Sequence, residues 1–143
     1  MKTGFTFEKI WEDIHAQELN IHAFNTTSTF TNQIYIDHEK ISEVIEGLTQ
    51  FNQLIEGPNY YLDLGGFGAT DQGGFHARFE HIDNGKICVK LNLESGNPIG
   101  FKINYFDKAT LYFTTQPVLI DNFISELKSL NLAVTDQAKL EGI

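Results

Sequence analysis

The sequence predicts an α+β fold, in which a mostly antiparallel sheet of about six to seven strands carries helices packed on one face. Several short segments alternate apolar and polar residues, as half-buried strands do, and short turns join them rather than crossover helices. Three other segments repeat apolar residues at helical spacing. The 143 residues are 41% apolar, which suffices for one core, so we expect a single domain over residues 1–143.

A hairpin over residues 75–94 is the clearest element. A two-residue turn would mix apolar and polar side chains on each face, because strand residues alternate faces. A three-residue turn at 83–85, with Gly85 in the left-handed conformation, instead sets Phe79 opposite Val89 and gathers the apolar residues on one face. The outer face then carries the polar residues His76, Arg78, Glu80, Cys88, Lys90, Asn92 and Glu94.

The segment before this hairpin is predicted to hold a helix, two strands and a second helix. Apolar residues at positions 7, 10, 11 and 14 indicate a short amphipathic helix, with Trp11 as a packing anchor. Alternation over residues 19–24 and 29–36 predicts two paired strands. Asp37 is placed to cap the second helix, whose apolar repeat extends to Ile55.

The remaining elements follow from the same patterns. Strand and turn signals predict, in order, a strand over 60–64, the hairpin, a turn at 95–98, a strand from Phe101, a turn at 107–109, and a strand over 111–115. Pro117 suits the first turn of a last helix that stops near Asn131. The polar tail over residues 135–143 is expected to be frayed.

Composition excludes several classes of partner. The net charge is -9 and the pI about 4.8, with Arg78 as the only arginine, so no basic surface is expected for nucleic acid or for a membrane. The single cysteine, Cys88, excludes an internal disulfide and fits a reducing compartment. No secretory signal and no apolar run approaching ~20 residues is found, which predicts a cytoplasmic location.

No motif indicates a cofactor or a metal. The glycine-rich segment over residues 65–74 leads into a strand and lacks lysine, whereas a phosphate-binding loop opens onto a helix, so we read it as a connection that can serve as a contact surface. His76 and His81 point to opposite faces of one strand, and the other histidines lie on separate elements, so no metal site is predicted.

No catalytic residue is assigned either. Cys88 lies opposite Glu80, which disfavours a reactive thiolate and favours a plain surface cysteine. Asp63 and Glu80 share the open outer face of the sheet, where a carboxyl group stays hydrated, although acid and base work needs an enclosed cleft.

Surface charge gives the strongest indication of function. Acidic residues face outward on the first predicted helix and its exit (Glu8, Glu12, Asp13, Glu18) and on the second (Glu39, Glu43, Glu46, Glu56). These are either solvated helix faces or a landing site for a basic protein, where complementary charge speeds association. The residues expected to bind such a partner are Glu39, Glu43, Glu46, Tyr61, Asp63, Phe67 and Asp71.

The order of elements resembles that of small acidic bacterial immunity proteins, the partners of polymorphic or contact-dependent toxins, and of related uncharacterised bacterial families. The likeness lies in an opening hairpin, a helix ending near 48–51, a hairpin of the form Gly-Phe-His-Ala-Arg-Phe, Asp-Asn-Gly-Lys and Ile-Cys-Val-Lys-Leu, a late strand pair and a final helix. It covers most of the chain without a signature motif, and no functional residue is carried over. The resemblance implies a non-enzymatic protein that covers the active site of a toxin domain, with acidic groups in place of an anionic substrate.

Two other functions stay open. The outer sheet face around Asp63, His76, Arg78 and Glu80 can hold a small ligand, or a substrate if the protein is an enzyme. The same polar face also allows a homodimer, in which it packs against a second copy of the chain.

Overall fold

A computed structural model describes residues 2–65, 73–98 and 104–143. The described part of the chain forms eight strands, two α-helices and a 3-10 turn at Asp83–Gly85. In order, the strands and helices are β1 (Gly4–Glu12), β2 (Ala16–Phe24), β3 (Thr29–Asp37), α1 (His38–Asn52), β4 (Tyr60–Leu64), β5 (Gly74–His81), β6 (Ile87–Pro98), β7 (Asn104–Thr115), α2 (Pro117–Asn131) and β8 (Gln137–Glu141).

The strands form two antiparallel sheets rather than one. Within the described ranges, sheet A has the order β3-β2-β1-β8 and sheet B the order β4-β5-β6-β7. The α+β class and the antiparallel pairing are therefore confirmed, whereas a single sheet of six to seven strands is wrong. Alternation identifies a strand but carries no information about its partners, so the division could not be predicted.

Both sheets contribute to one apolar core. Phe5 and Phe7 of β1 lie against Phe75 of β5, with ring centroids 5.0 and 5.3 Å apart, and both also contact Phe123 of α2. The same core cluster includes Ile41, Val44, Leu48 and Phe51 of α1. Aromatic pairs at such distances add to the stabilisation from burial alone.

The two helices run antiparallel. The side-chain amide of Asn52, at the end of α1, donates to Asp121 of α2 at 2.7 Å, and Asn131, at the end of α2, donates to Ser42 of α1 at 3.1 Å. Helix α1 leads from sheet A into sheet B, and α2 leads back, because β8 joins sheet A.

The central hairpin has the predicted register. Phe79 pairs with Val89, and Gly85 has a φ of 69°, in the left-handed region that favours glycine. Glu94 has the predicted register, opposite Gly74, but it is only 1% exposed and therefore not open to solvent. The end of β6 meets the side of β3 there, and Asn32 of β3 donates to the main-chain oxygen of Glu94 at 3.0 Å.

The first predicted helix is wrong, because this segment is strand β1. An extra residue, Ile10, bulges between Lys9, which pairs with Leu19, and Trp11, which pairs with Glu18. The bulge breaks the two-residue alternation and produces a spacing that imitates a helix. Trp11 is 47% exposed, so its prediction as a packing anchor is also wrong.

Four other expectations for the rest of the chain are also corrected. The tail is not frayed, because β8 pairs with β1 and fully buries Ala138 and Leu140. Strand β6 continues through the expected turn at 95–98, and the expected turn at 107–109 lies inside β7, opposite β6. Helix α1 ends at Asn52, and Ile55 is exposed.

Other element predictions are confirmed or fall outside the structure. Strands β2, β3 and β4 and helix α2 are confirmed, with Pro117 opening α2. Asp37 occupies the position before α1, although its side chain makes no capping hydrogen bond. The predicted strand start at Phe101 lies outside the described residues.

Candidate partner-binding surfaces

Helix α1 presents a stripe of three carboxylates. Its apolar residues face the core, and Glu39, Glu43 and Glu46 follow one another at a spacing of four and then three residues, which places them on one exposed side. These three glutamates are therefore exposed, as the sequence predicts. The acidic face predicted for a first helix does not exist, because Glu8 and Glu12 lie on strand β1.

Strand β4 packs close to α1 at Gly47. A Cβ atom at Gly47 would overlap the ring of Tyr60, so the absence of a side chain lets the ring lie against the helix. Burial, followed by the negative charges of Asp63 and Glu43, raises the pKa of Tyr60 to about 12. The charges of Glu43 of α1 and Asp63 of β4 therefore both influence the pKa of the Tyr60 phenol.

We call Glu39, Glu43, Glu46 and Asp63 the acidic α1–β4 surface. Two basic groups lie beside it: Lys40 is 3.3 Å from Glu43, and His76 is 3.6 Å from Asp63. The side chains of Glu43 and Asp63 are 66% and 61% exposed, so water weakens these two pairs. Four carboxylates against one lysine leave this surface negative.

Tyr61 lies on the outer face of sheet B, two residues before Asp63 on the same side of β4. The strand registers place it in a row across four strands, formed by Tyr61, Arg78, Lys90 and Tyr112. We call this set the tyrosine–cation row. Both tyrosines are more than half exposed, and the Lys90 ammonium lies 5.9 Å from the centre of the Tyr112 ring.

Phe67 and Asp71, the other two residues expected to bind a partner, lie outside the described residues. So does most of the glycine-rich segment over 65–74. The sequence reasoning missed Tyr60, because its alternation with Leu62 indicates only a core residue, and it missed Tyr112, whose alternation with Leu111 and Phe113 was an available signal.

The residues considered for chemistry are dispersed. Cys88 lies opposite Glu80, as predicted, and is a free, half-buried cysteine. His81 faces inward, stacks on Phe51 with ring centroids 4.0 Å apart, and bonds the main-chain oxygen of Phe51. Over residues 2–65, 73–98 and 104–143, no group of three or more His, Cys, Asp or Glu side chains is arranged to hold a metal ion.

Neither helix in those ranges combines the length and the apolar content that crossing a bilayer requires.

The fold and these surfaces define a two-sheet α+β protein with a negatively charged helix–strand face. Comparison with protein-family models, with curated proteins and with solved structures finds no match.

Proposed function

We propose that this protein is a non-enzymatic, cytoplasmic protein-binding module that neutralises a bacterial toxin domain by covering a basic surface of that domain. The acidic α1–β4 surface is the proposed contact. The observation that carries the proposal is the exposed stripe of Glu39, Glu43 and Glu46 along helix α1.

The supporting argument is electrostatic. Proteins that bind nucleic acid or other anionic substrates present basic surfaces, and a complementary acidic surface attracts such a protein and orients it on approach. The chain as a whole has a net charge of -9, so the long-range field has the same sign as the local one. Rigid elements carry all four carboxylates, which reduces the entropy lost on binding.

The test pairs the chain with a toxin domain encoded beside its gene and measures association at low and at physiological salt. In the variant with Glu39→Lys, Glu43→Lys and Glu46→Lys, we expect affinity to fall by about 100-fold or more, mainly through slower association, with a weaker dependence on salt. Cell survival during expression of the toxin gives the functional readout.

A matched variant reverses three exposed acidic residues elsewhere, Asp83, Asp136 and Glu141, and changes the net charge by the same amount. It should bind nearly as tightly as the unmodified chain. Equal losses in both variants would mean that only net charge matters, and an unchanged affinity in the α1 variant would refute the proposed surface.

One observation favours a second function, the binding of a small anionic ligand. The tyrosine–cation row sets Arg78 directly opposite Lys90, and like charges in such a cross-strand pair repel. The Glu80 carboxylate, 3.7 Å from Arg78, offsets part of this repulsion, and a bound anion would offset more. Calorimetric titration with phosphate and with citrate tests this function. Saturable binding that Lys90→Gln abolishes would support it, and no heat of binding to either anion would exclude it for both.

A further inference from the structure

The outer face of sheet A carries a second cross-strand row. Trp11 of β1 pairs with Glu18 of β2, and Glu18 pairs with Tyr35 of β3, so a carboxylate lies between two aromatic residues. Although a whole strand separates Trp11 from Tyr35, their ring centroids are only 6.4 Å apart and the ring planes meet at 69°. Side chains on alternate strands start ~10 Å apart, so the two rings lean together beside Glu18.

The bulge at Ile10 produces this arrangement. Without the extra residue, Trp11 would follow Phe5, Phe7 and Lys9 toward the core. Lys9, which precedes the bulge, points inward, where its ammonium donates to the main-chain oxygen of Leu130 at 2.9 Å, and the bulge leaves Trp11 47% exposed on the outer face. A bulge that directs the only tryptophan of the chain to the surface sacrifices core burial, which is typical of a binding position.

The three side chains form a concave site. Ile10, Trp11, Glu18 and Tyr35 line a cavity of about 200 Å³. Hydrogen bonding with Glu18, followed by burial and by the charge of Glu18, raises the pKa of Tyr35. Glu18 pairs directly with Tyr35 across the strands, and its carboxylate has two oxygens that can accept hydrogen bonds from a ligand.

This chemistry suits one kind of ligand. A planar guanidinium group stacks on aromatic rings and donates to a carboxylate at the same time, whereas an ammonium group is compact and more strongly hydrated. A depression of about 320 Å³ adjoins the site and is lined by Tyr35, Asp37, Lys40 and Gly65 among others. Since Lys40 pairs with Glu43, this depression leads to the acidic α1–β4 surface.

We infer that Trp11, Glu18 and Tyr35 form a cage that binds an arginine side chain of the basic protein partner. The inference deepens the proposed function, because it supplies a specific anchor beside a surface that attracts by charge. We call these three residues the arginine cage.

The experiment uses the fluorescence of Trp11, the only tryptophan, as the reporter. N-acetyl-arginine amide should change this fluorescence saturably, with a dissociation constant on the order of 1–10 mM. N-acetyl-citrulline amide, which is similar in shape but uncharged, should have no effect, and N-acetyl-lysine amide should bind more weakly. Equal binding of the lysine or the citrulline compound would overturn the assignment.

Glu18→Gln should weaken binding of the arginine compound by about 10-fold. The matched control is Glu8→Gln, which changes an outward carboxylate of the same sheet, paired with Asn20, and should leave binding unchanged. Tyr35→Leu removes one wall of the cage and should also weaken binding. Circular dichroism confirms that each variant is folded, and an unchanged affinity in Glu18→Gln would refute the cage.

The two proposals fail in different ways. The α1 variant with three lysines should keep its response to the arginine compound, and Glu18→Gln should lose about 10-fold in affinity for the toxin domain. If no arginine response occurs but the α1 variant still loses the toxin, the cage is wrong and the proposed function stands. If the arginine response occurs but the α1 variant keeps the toxin, the acidic surface is wrong and the cage stands.

Discussion

Leu140 offers the sharpest test of strand β8. Its side chain is fully buried, and its main chain pairs with Phe5 in β1. Replacement of a buried leucine by alanine removes apolar contacts and leaves a cavity, which typically costs about 2–5 kcal/mol. Since a protein of this size is stable by about 5–15 kcal/mol, Leu140→Ala should remain folded with a markedly lower free energy of unfolding. The thermal midpoint should fall by about 5–15 °C.

The matched control is Ile143→Ala, a similar deletion three residues later. Ile143 is 53% exposed, and its backbone N–H, which the substitution keeps, donates to the Thr114 main-chain oxygen at 2.8 Å. This variant should change stability by less than about 0.5 kcal/mol. Urea unfolding followed by circular dichroism measures both variants, and the midpoint should shift without a change in slope.

A frayed tail would give the opposite result. Leu140→Ala and Ile143→Ala would then have equally small effects, and the amides of β8 would exchange with deuterium as fast as those of an unfolded peptide. Either finding would refute the pairing of β8 with β1 and, with it, the four-stranded sheet A.

Three other predictions concern Gly4, Gln17 and Tyr60. Gly4 has a φ of 136°, and a Cβ there would overlap the Leu140 main-chain oxygen, so Gly4→Ala should lower the free energy of unfolding by at least about 1–3 kcal/mol in urea titrations. Gln17 is fully buried, and neither the nitrogen nor the oxygen of its side-chain amide has a hydrogen-bond partner in the described part of the chain. Gln17→Met should therefore raise the free energy of unfolding by about 1–2 kcal/mol. A lower free energy of unfolding would show that the amide is hydrogen-bonded. Tyr60 loses its proton near pH 10 when unfolded but only near pH 12 when folded, so its contribution to stability is present below pH 10 and declines between pH 10 and about 12. Comparison with Tyr60→Phe over that interval isolates the contribution, and identical pH profiles would contradict the raised pKa.

Local sequence patterns correctly predict the structural features that depend on residues close together in the chain. The turn at Gly85 fixed the register of β5 and β6, because only a three-residue turn keeps Phe79 and Val89 on one face. Helix α2 was predicted from Pro117 to Asn131 for the same reason, since its apolar repeat and its opening proline are local features.

Features that depend on distant contacts could not be predicted. Residues 137–141 alternate polar and apolar residues over only five positions, and pairing with strand β1 makes them a strand. The burial of Glu94 depends on Asn32, which is far away in sequence. At the candidate sites, the exposed stripe on α1 was predictable, whereas the bulge that turns Trp11 outward required knowledge of its pairing with Glu18.

The pairing of β1 with β8 has a consequence for biosynthesis. Gly4 pairs with Glu141, so strand β1 stays unpaired on this side until a strand 137 residues later in the sequence has been made. Until then the nascent chain presents an unpaired edge at β1, beside Phe5 and Phe7, and such edges invite association with other chains. A ribosome stalled before β8 would therefore release a species prone to aggregate, and a chaperone that shields β1 would raise the yield of native protein.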